Sequence, residues 1–226
     1  MIKAIFGIIN FMRRNTCLTP CVLFRNIYFN FFRSKIKSHK NHGLLYITAY
    51  SVLDIKKTAQ ILLNNSFTIG FKKYKGSRLE TSLWMDDDST LEIGEGGCTV
   101  YHGCDIQIFK NAKLYIGGCS INRSAQIICQ DEITIGRECL ISRDVLIRDN
   151  DGGHRICTEG YKKTAPIHIG NHVWIGQGAM IMKGVTIGDG AIIGAGAFVA
   201  TNVKPNSLVM PDPSRVFKND IKWEYK

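Results

Sequence analysis

The residues best suited to chemistry gather in one short stretch: Asp149, Asp151 and His154 in the string DNDGGHRI. An imidazole can take up or release a proton near neutral pH, and a carboxylate beside it can orient the ring and stabilise its charged form. A lone loop histidine is just as readily a solvated side chain, so its meaning depends on what carries it. His102, His154, His168 and His172 do not fall at matching places one repeat apart, which counts against a three-histidine zinc centre. The eight cysteines (17, 21, 98, 104, 119, 129, 139 and 157) contain no CxxC pair, and the chain is too large to need a disulfide framework. They read as reduced thiols, and Cys139 stands where the pattern described next elsewhere holds Val or Ala.

That pattern is a six-residue repeat. An aliphatic residue recurs as Ile169, Ile175, Ile181, Ile187, Ile193 and Val199, with glycine directly after four of them. Four positions later in each hexad comes a small or β-branched residue: Val173, Ala179, Val185, Ala191, Ala197 and Val203. A period of six is not a multiple of 3.6, so the pattern is not helical. It fits a solenoid in which three hexads close a triangular coil of 18 residues, with small or polar residues at the corners. Each short strand then pairs in parallel with its counterpart one coil on, about 4.8 Å away.

The same frame runs through Ile135, Ile141 and Ile147, and more loosely through Ile93 and Ile116. From Ile116 to Ile135 is 19 residues and from Ile169 to Ile187 is 18, but from Ile135 to Ile169 is 34, an excess of 16 over one coil. The excess is the segment NDGGHRICTEGYKKTA, a protruding loop that carries His154.

At 226 residues the chain has room for one large domain and a short appendage. Its net charge of +10 is mostly N-terminal: residues 1–53 contain no acid, and Lys3, Arg13, Arg14, Arg25, Arg33, Lys35, Lys37 and Lys40 stand among aromatic and aliphatic residues. No apolar run there reaches the roughly 18 residues of a membrane span, and no small-residue cleavage site follows the first apolar stretch. The expectation is a cytoplasmic protein, able to rest on the inner face of the membrane. Two readings of the segment stay open: a helical cap on the first coil, or a basic amphipathic surface on anionic lipid. Nucleic acid is not an expected partner, because the bases are concentrated beside hydrophobic residues instead of forming a stripe on a folded surface.

The strings VWIGQGAMIMKGVTIGDGAIIGAGAFVATNVKP and DPSRVFK, within a match covering about residues 90–218, resemble the left-handed β-helix hexapeptide acyltransferases. The likeness is to the maltose, galactoside and nodulation-factor acetyltransferases and to the capsular or lipopolysaccharide O-acetyltransferases. It implies an all-β, left-handed parallel β-helix with a short N-terminal helical segment and a protruding loop. The corresponding boundaries are a basic N-terminal segment 1–45, the β-helix 46–204 with its loop at about 150–166, and a tail 205–226.

It further implies a homotrimer with active sites between subunits, acetyl-CoA as co-substrate, no metal, and a sugar or polysaccharide acceptor in capsule, exopolysaccharide or lipopolysaccharide synthesis. His154 matches the general base, with Asp149 or Asp151 to orient it. Asn122 lines up with an asparagine that contacts substrate or cofactor, although the register slips by one there and a structural corner asparagine remains equally open. Trp174, Gly178, Ala195, Gly196, Ala200 and Thr201 match positions along the coenzyme groove, and Arg215 and Lys218 match residues able to pair with its phosphates. Two departures weaken the tail: Thr201-Asn202 stands where the family usually has Thr-Lys, and MPDPS at 210–214 where it usually has Gly-x-Pro-Ala. An amino-sugar or nucleotide-sugar N-acetyltransferase and a catalytically silent β-helix scaffold are the competing readings.

Overall fold

The computed structural model describes residues 2–14, 19–33, 36–38, 43–72, 76–153 and 157–211. Every pairing between its named strands is parallel, and the strands stack as three columns. The first face begins at Ile36–Ser38 and passes through Gln60–Leu63 and Thr90–Ile93 to Ile167–Ile169 and Thr186–Ile187. The second runs from Leu45–Ile47 through Phe67–Phe71 and Cys98–Tyr101 to Trp174–Ile175, Ile192–Ile193 and Leu208–Val209. The third runs from Ser51–Ile55 to Met180–Ile181 and Phe198–Val199 and forms a separate seven-stranded sheet. Strand pairing thus starts before residue 46 and continues beyond 204, wider at both ends than the repeat alone indicates.

The first two faces are one thirteen-stranded sheet because Lys113–Ile121 and Glu132–Ile141 run through the corner between them. A register shift between Gly118 and Cys119 pairs Cys119 with Cys139. The expected registers hold: Ile116 pairs with Ile135, Ile135 with Ile169 across the insertion, and Ile169 with Ile187.

The aliphatic residue of each hexad points inward: Ile135, Ile147, Ile175, Ile181, Ile187 and Ile193 are fully buried. Each such side chain contributes about 1.5–3 kcal/mol on leaving water. Corners turn through left-handed residues, of which Gly178 (φ +68°) and Gly196 (φ +71°) mark one column. Adjacent coils also touch at corner glycines; a Cβ on Gly176 would lie 2.6 Å from the Ala195 nitrogen.

The solenoid must be closed where it starts, because its first strand exposes unpaired N–H and C=O groups. On the second face two asparagines do this. Helix α1 (Ile2–Arg14) packs on α2 (Pro20–Ile27), which continues as a π-helical turn over Tyr28–Phe32. Asn26 and Asn30, one turn apart, aim amide side chains at the edge strand Leu45–Ile47. Asn26 donates to the Ile47 carbonyl (2.8 Å) and accepts from the Ile47 N–H (2.8 Å). Asn30 does the same for Leu45, at 2.8 and 2.9 Å. Two side chains thus replace a missing strand.

Candidate active site

Two edges of the triangular prism carry the candidate residues. Along the edge between the second and third faces, Asn122, Ser142, Gly176 and Gly194 occupy the same corner position in successive coils: each donates its backbone N–H to a carbonyl one coil on, at Ile141, Ile175, Ile193 and Val209. The side chain shrinks from amide to hydroxymethyl to none, so the surface hollows toward the C-terminal coils. A groove of about 420 Å³ results, lined by Asn122, Ser142, Arg143, Trp174, Gln177 and Ala195 among others.

The half-exposed Trp174 forms a wall, its indole N–H donating to the Ser142 hydroxyl at 3.3 Å. Asn122 accepts from the Arg123 N–H at 3.0 Å, a corner bond that leaves its amide N–H₂ uncommitted among the hydrogen bonds of the described residues. Arg143 donates to Gln177 (2.9 Å), which donates to Asp144 (3.1 Å), so the groove's mouth carries an ordered polar row. Of the residues expected from sequence, the groove gathers Asn122, Trp174 and Ala195, with Gly178 and Gly196 on the same corner. No side chain would meet a Cβ added at Gly178 or Gly196, so the surface there is open backbone.

Ser142, Arg143 and Gln177 were not singled out by sequence reasoning. The available signal was positional: they follow the inward isoleucines Ile141 and Ile175, in the slots that glycine and alanine fill at 194–195.

The second edge, between the third and first faces, releases the loop. An antiparallel bridge between Asn150 and Thr164 closes its base. Asp149 is fully buried, and its two carboxylate oxygens accept from the backbone N–H groups of Gln130 and Asp131, both at 2.8 Å, and from Asn150. Its carboxylate therefore fastens the loop's root to the preceding coil. Asp151 accepts from the Lys183 ammonium and the Tyr161 hydroxyl, and Lys183 also donates to the Lys162 carbonyl at 2.6 Å and sits 4.5 Å from the centre of the Tyr161 ring. The hydrogen bond from Lys183, then that from Tyr161, holds the Asp151 carboxyl below its ordinary value; the same carboxylate raises both partners. Two aspartates expected beside an imidazole are thus already engaged in anchoring the loop. His154, Arg215 and Lys218 lie outside the described residues.

Ala200 and Thr201 are exposed on this second edge, one coil beyond Met182 and Lys183. The expected coenzyme residues therefore divide between two edges separated by the third face. Asn202 has a local reason for its identity: its side-chain oxygen accepts from the Thr186 N–H at 2.8 Å. Among the described residues, no group of three or more His, Cys, Asp or Glu side chains could hold a metal ion.

Residues 166–201 match the family model described as bacterial transferase hexapeptide (six repeats). The polysialic acid O-acetyltransferase of Escherichia coli O1:K1 / APEC is 37% identical over 125 residues, covering 53% of this chain and 40% of that protein, so the match spans less than half of that relative. Among solved structures, the polySia specific acetyltransferase NeuO aligns over 85% of this chain and 90% of its own, at 24% identity and a TM-score of 0.52. The polysialic acid O-acetyltransferase OatWY aligns over 84% and 92%, at 25% identity and a TM-score of 0.41. Residues 166–201 therefore match a hexapeptide repeat, and the strand registers above together with the likeness to NeuO bear out the fold read from the sequence, a left-handed parallel β-helix.

Proposed function

We propose that this chain transfers an acetyl group from acetyl-CoA to a hydroxyl of a sugar in an anionic polysaccharide, with His154 as general base. The observation that carries the proposal is the corner column Asn122, Ser142, Gly176, Gly194. It makes an elongated groove floored by backbone, where an extended amide-bearing arm can approach closely. In the reaction the sugar oxygen attacks the thioester carbonyl while His154 accepts the hydroxyl proton. The carbon–sulfur bond then breaks, and the coenzyme leaves as its thiol after taking that proton. The Escherichia coli relative is named for polysialic acid as its acceptor, and a polyanion suits a chain of net charge +10 whose groove is lined in part by Arg143.

The division of residues between two edges supports a homotrimer in which one copy's loop meets another copy's groove. The faces on either side of the groove edge expose the surface such an assembly would cover. Leu140, Trp174, Ile192 and Leu208 form an outward ladder on the second face, and Met180 pairs with the exposed Phe198 on the third. The test is subunit complementation. His154→Ala, expected to lower turnover at least ~100-fold, and Ala195→Trp, which fills the groove, are each inactive alone. Refolded together they regain acetyl transfer if the site spans two copies. Mixed oligomers that stay as inactive as the parents would refute the shared site.

A further inference from the structure

We infer that the outer face of α2 and its π-helical turn is a docking surface for a bilayer carrying anionic headgroups. An ordinary cap helix buries one stripe and shows water a polar one. Here the buried stripe is Val22, Asn26 and Phe29, and the asparagine bonds to Leu45 and Ile47 fix which side faces the core. The opposite stripe should be charged. Instead it carries Phe24, Tyr28 and Phe32, spaced four residues apart, with exposures of 71, 43 and 73%. Phe6 of α1 adds a fourth outward aromatic, at 62%. Aromatic rings turned outward leave a large apolar area in water, which a solvated cap has no reason to keep.

Charge selects the occupant. Residues 1–53 contain no acid and eight bases, so no carboxylate of that segment would repel an anionic surface. Arg13 and Lys37 are exposed, whereas Arg25 and Arg33 spend guanidinium N–H groups on the carbonyls of Thr48 and Ile55 and brace the cap on the first coil. An outward aromatic row with unopposed cations matches an interface of acyl chains and anionic headgroups. No described helix is long and apolar enough to cross a membrane, so contact would be at the surface. The geometry reconciles the two readings of the N-terminal segment: one face caps the β-helix, and the other is free for lipid.

The experiment is flotation of the full chain with vesicles of equal parts phosphatidylcholine and phosphatidylglycerol, against vesicles of phosphatidylcholine alone. The expected result is partition into the mixed vesicles at low salt that falls at least about tenfold at 1 M salt, where the screening length is about 3 Å. The Phe24→Ser/Phe32→Ser variant, with both changes on the exposed side, should keep its circular dichroism and lose about tenfold or more of that partition. Failure of the wild-type chain to float with the mixed vesicles, or equal flotation of the variant, overturns the inference. A change in the variant's oligomeric mass with no change in flotation also overturns it, by assigning the stripe to contact between copies.

Discussion

Replacing Asn26 with alanine should loosen the β-helix from its first coil. Asn26 is fully buried and makes three hydrogen bonds, to Val22 and to both polar groups of Ile47. The alanine variant orphans the Ile47 N–H and C=O, and each buried group left without a partner costs about 1–3 kcal/mol. Partial entry of water into the vacated space reduces the sum to about 2–4 kcal/mol. If unfolding stays cooperative, that lowers Tm by about 4–16 °C, at about 2–4 °C per kcal/mol for a chain of this size. A stack of coils can instead open locally from its end, since each coil leans only on its neighbours. Hydrogen exchange separates the cases. Faster exchange confined to Leu45, Ile47 and their partners at 67–69 marks local opening, and faster exchange throughout marks global loss. Asn26→Asp should cost as much, because a carboxylate cannot donate to the Ile47 carbonyl. A Tm within about 1 °C of wild type and unchanged exchange at Ile47 would show that the asparagine pair does not close the edge.

Three further outcomes follow from the same geometry. Gly176→Ala places a methyl 2.6 Å from the Ala195 nitrogen and should cost about 3 kcal/mol or more by forcing coils apart, whereas Gly178→Ala, in open space, should cost only the roughly 1–2 kcal/mol of a left-handed residue; equal losses in thermal melts would contradict the close approach. Because Asp151 is held below its ordinary value of 3.8, its help in closing the loop is complete above that value and is lost as pH falls through the lower folded one. Hydrogen exchange of residues 157–165, corrected for intrinsic rates, should therefore lose protection on acidification in wild type and already at pH 7 in Asp151→Asn; protection that is flat with pH and equal in both would rule out this closure. Burial pushes the thiols of Cys104 to about 12 and Cys139 to about 11, so a thiol reagent at pH 8 should label the exposed Cys21 and Cys157 first and those two only on unfolding; prompt labelling of either buried thiol in native protein would contradict the packing.

The fold was legible where the repeat is strict. Six hexads from Ile169 set the coil length, and the 34-residue step from Ile135 locates the inserted loop, across which Ile135 pairs with Ile169. The cap was legible only as a basic, aromatic segment. Its decisive contacts join residues 21 and 15 positions apart through asparagine side chains, which leave no periodic trace. The first coils were blurred for a related reason. Their strands are three to five residues long, compared with two near the C-terminal end, and the Gly118/Cys119 shift breaks the count.

The resemblance pointed to Trp174, Asn122 and Ala195, and these three line one groove. Ser142 and Arg143 were not, because an insertion lies between them and Gln177 in sequence while strand pairing makes them neighbours in space. Asp149 shows the opposite case. A carboxylate near a histidine in sequence suggested an orienting partner, yet its burial requires that its oxygens be satisfied, and the backbone of Gln130 and Asp131 does so.

The most direct measurement mixes the purified chain with acetyl-CoA and oligosaccharides of sialic acid, following free thiol and acetyl ester together. The expected result is equimolar thiol and ester that require the acceptor, with loss of at least about 100-fold in His154→Ala. Thiol release that ignores the acceptor, or ester formation undiminished in that variant, would contradict it.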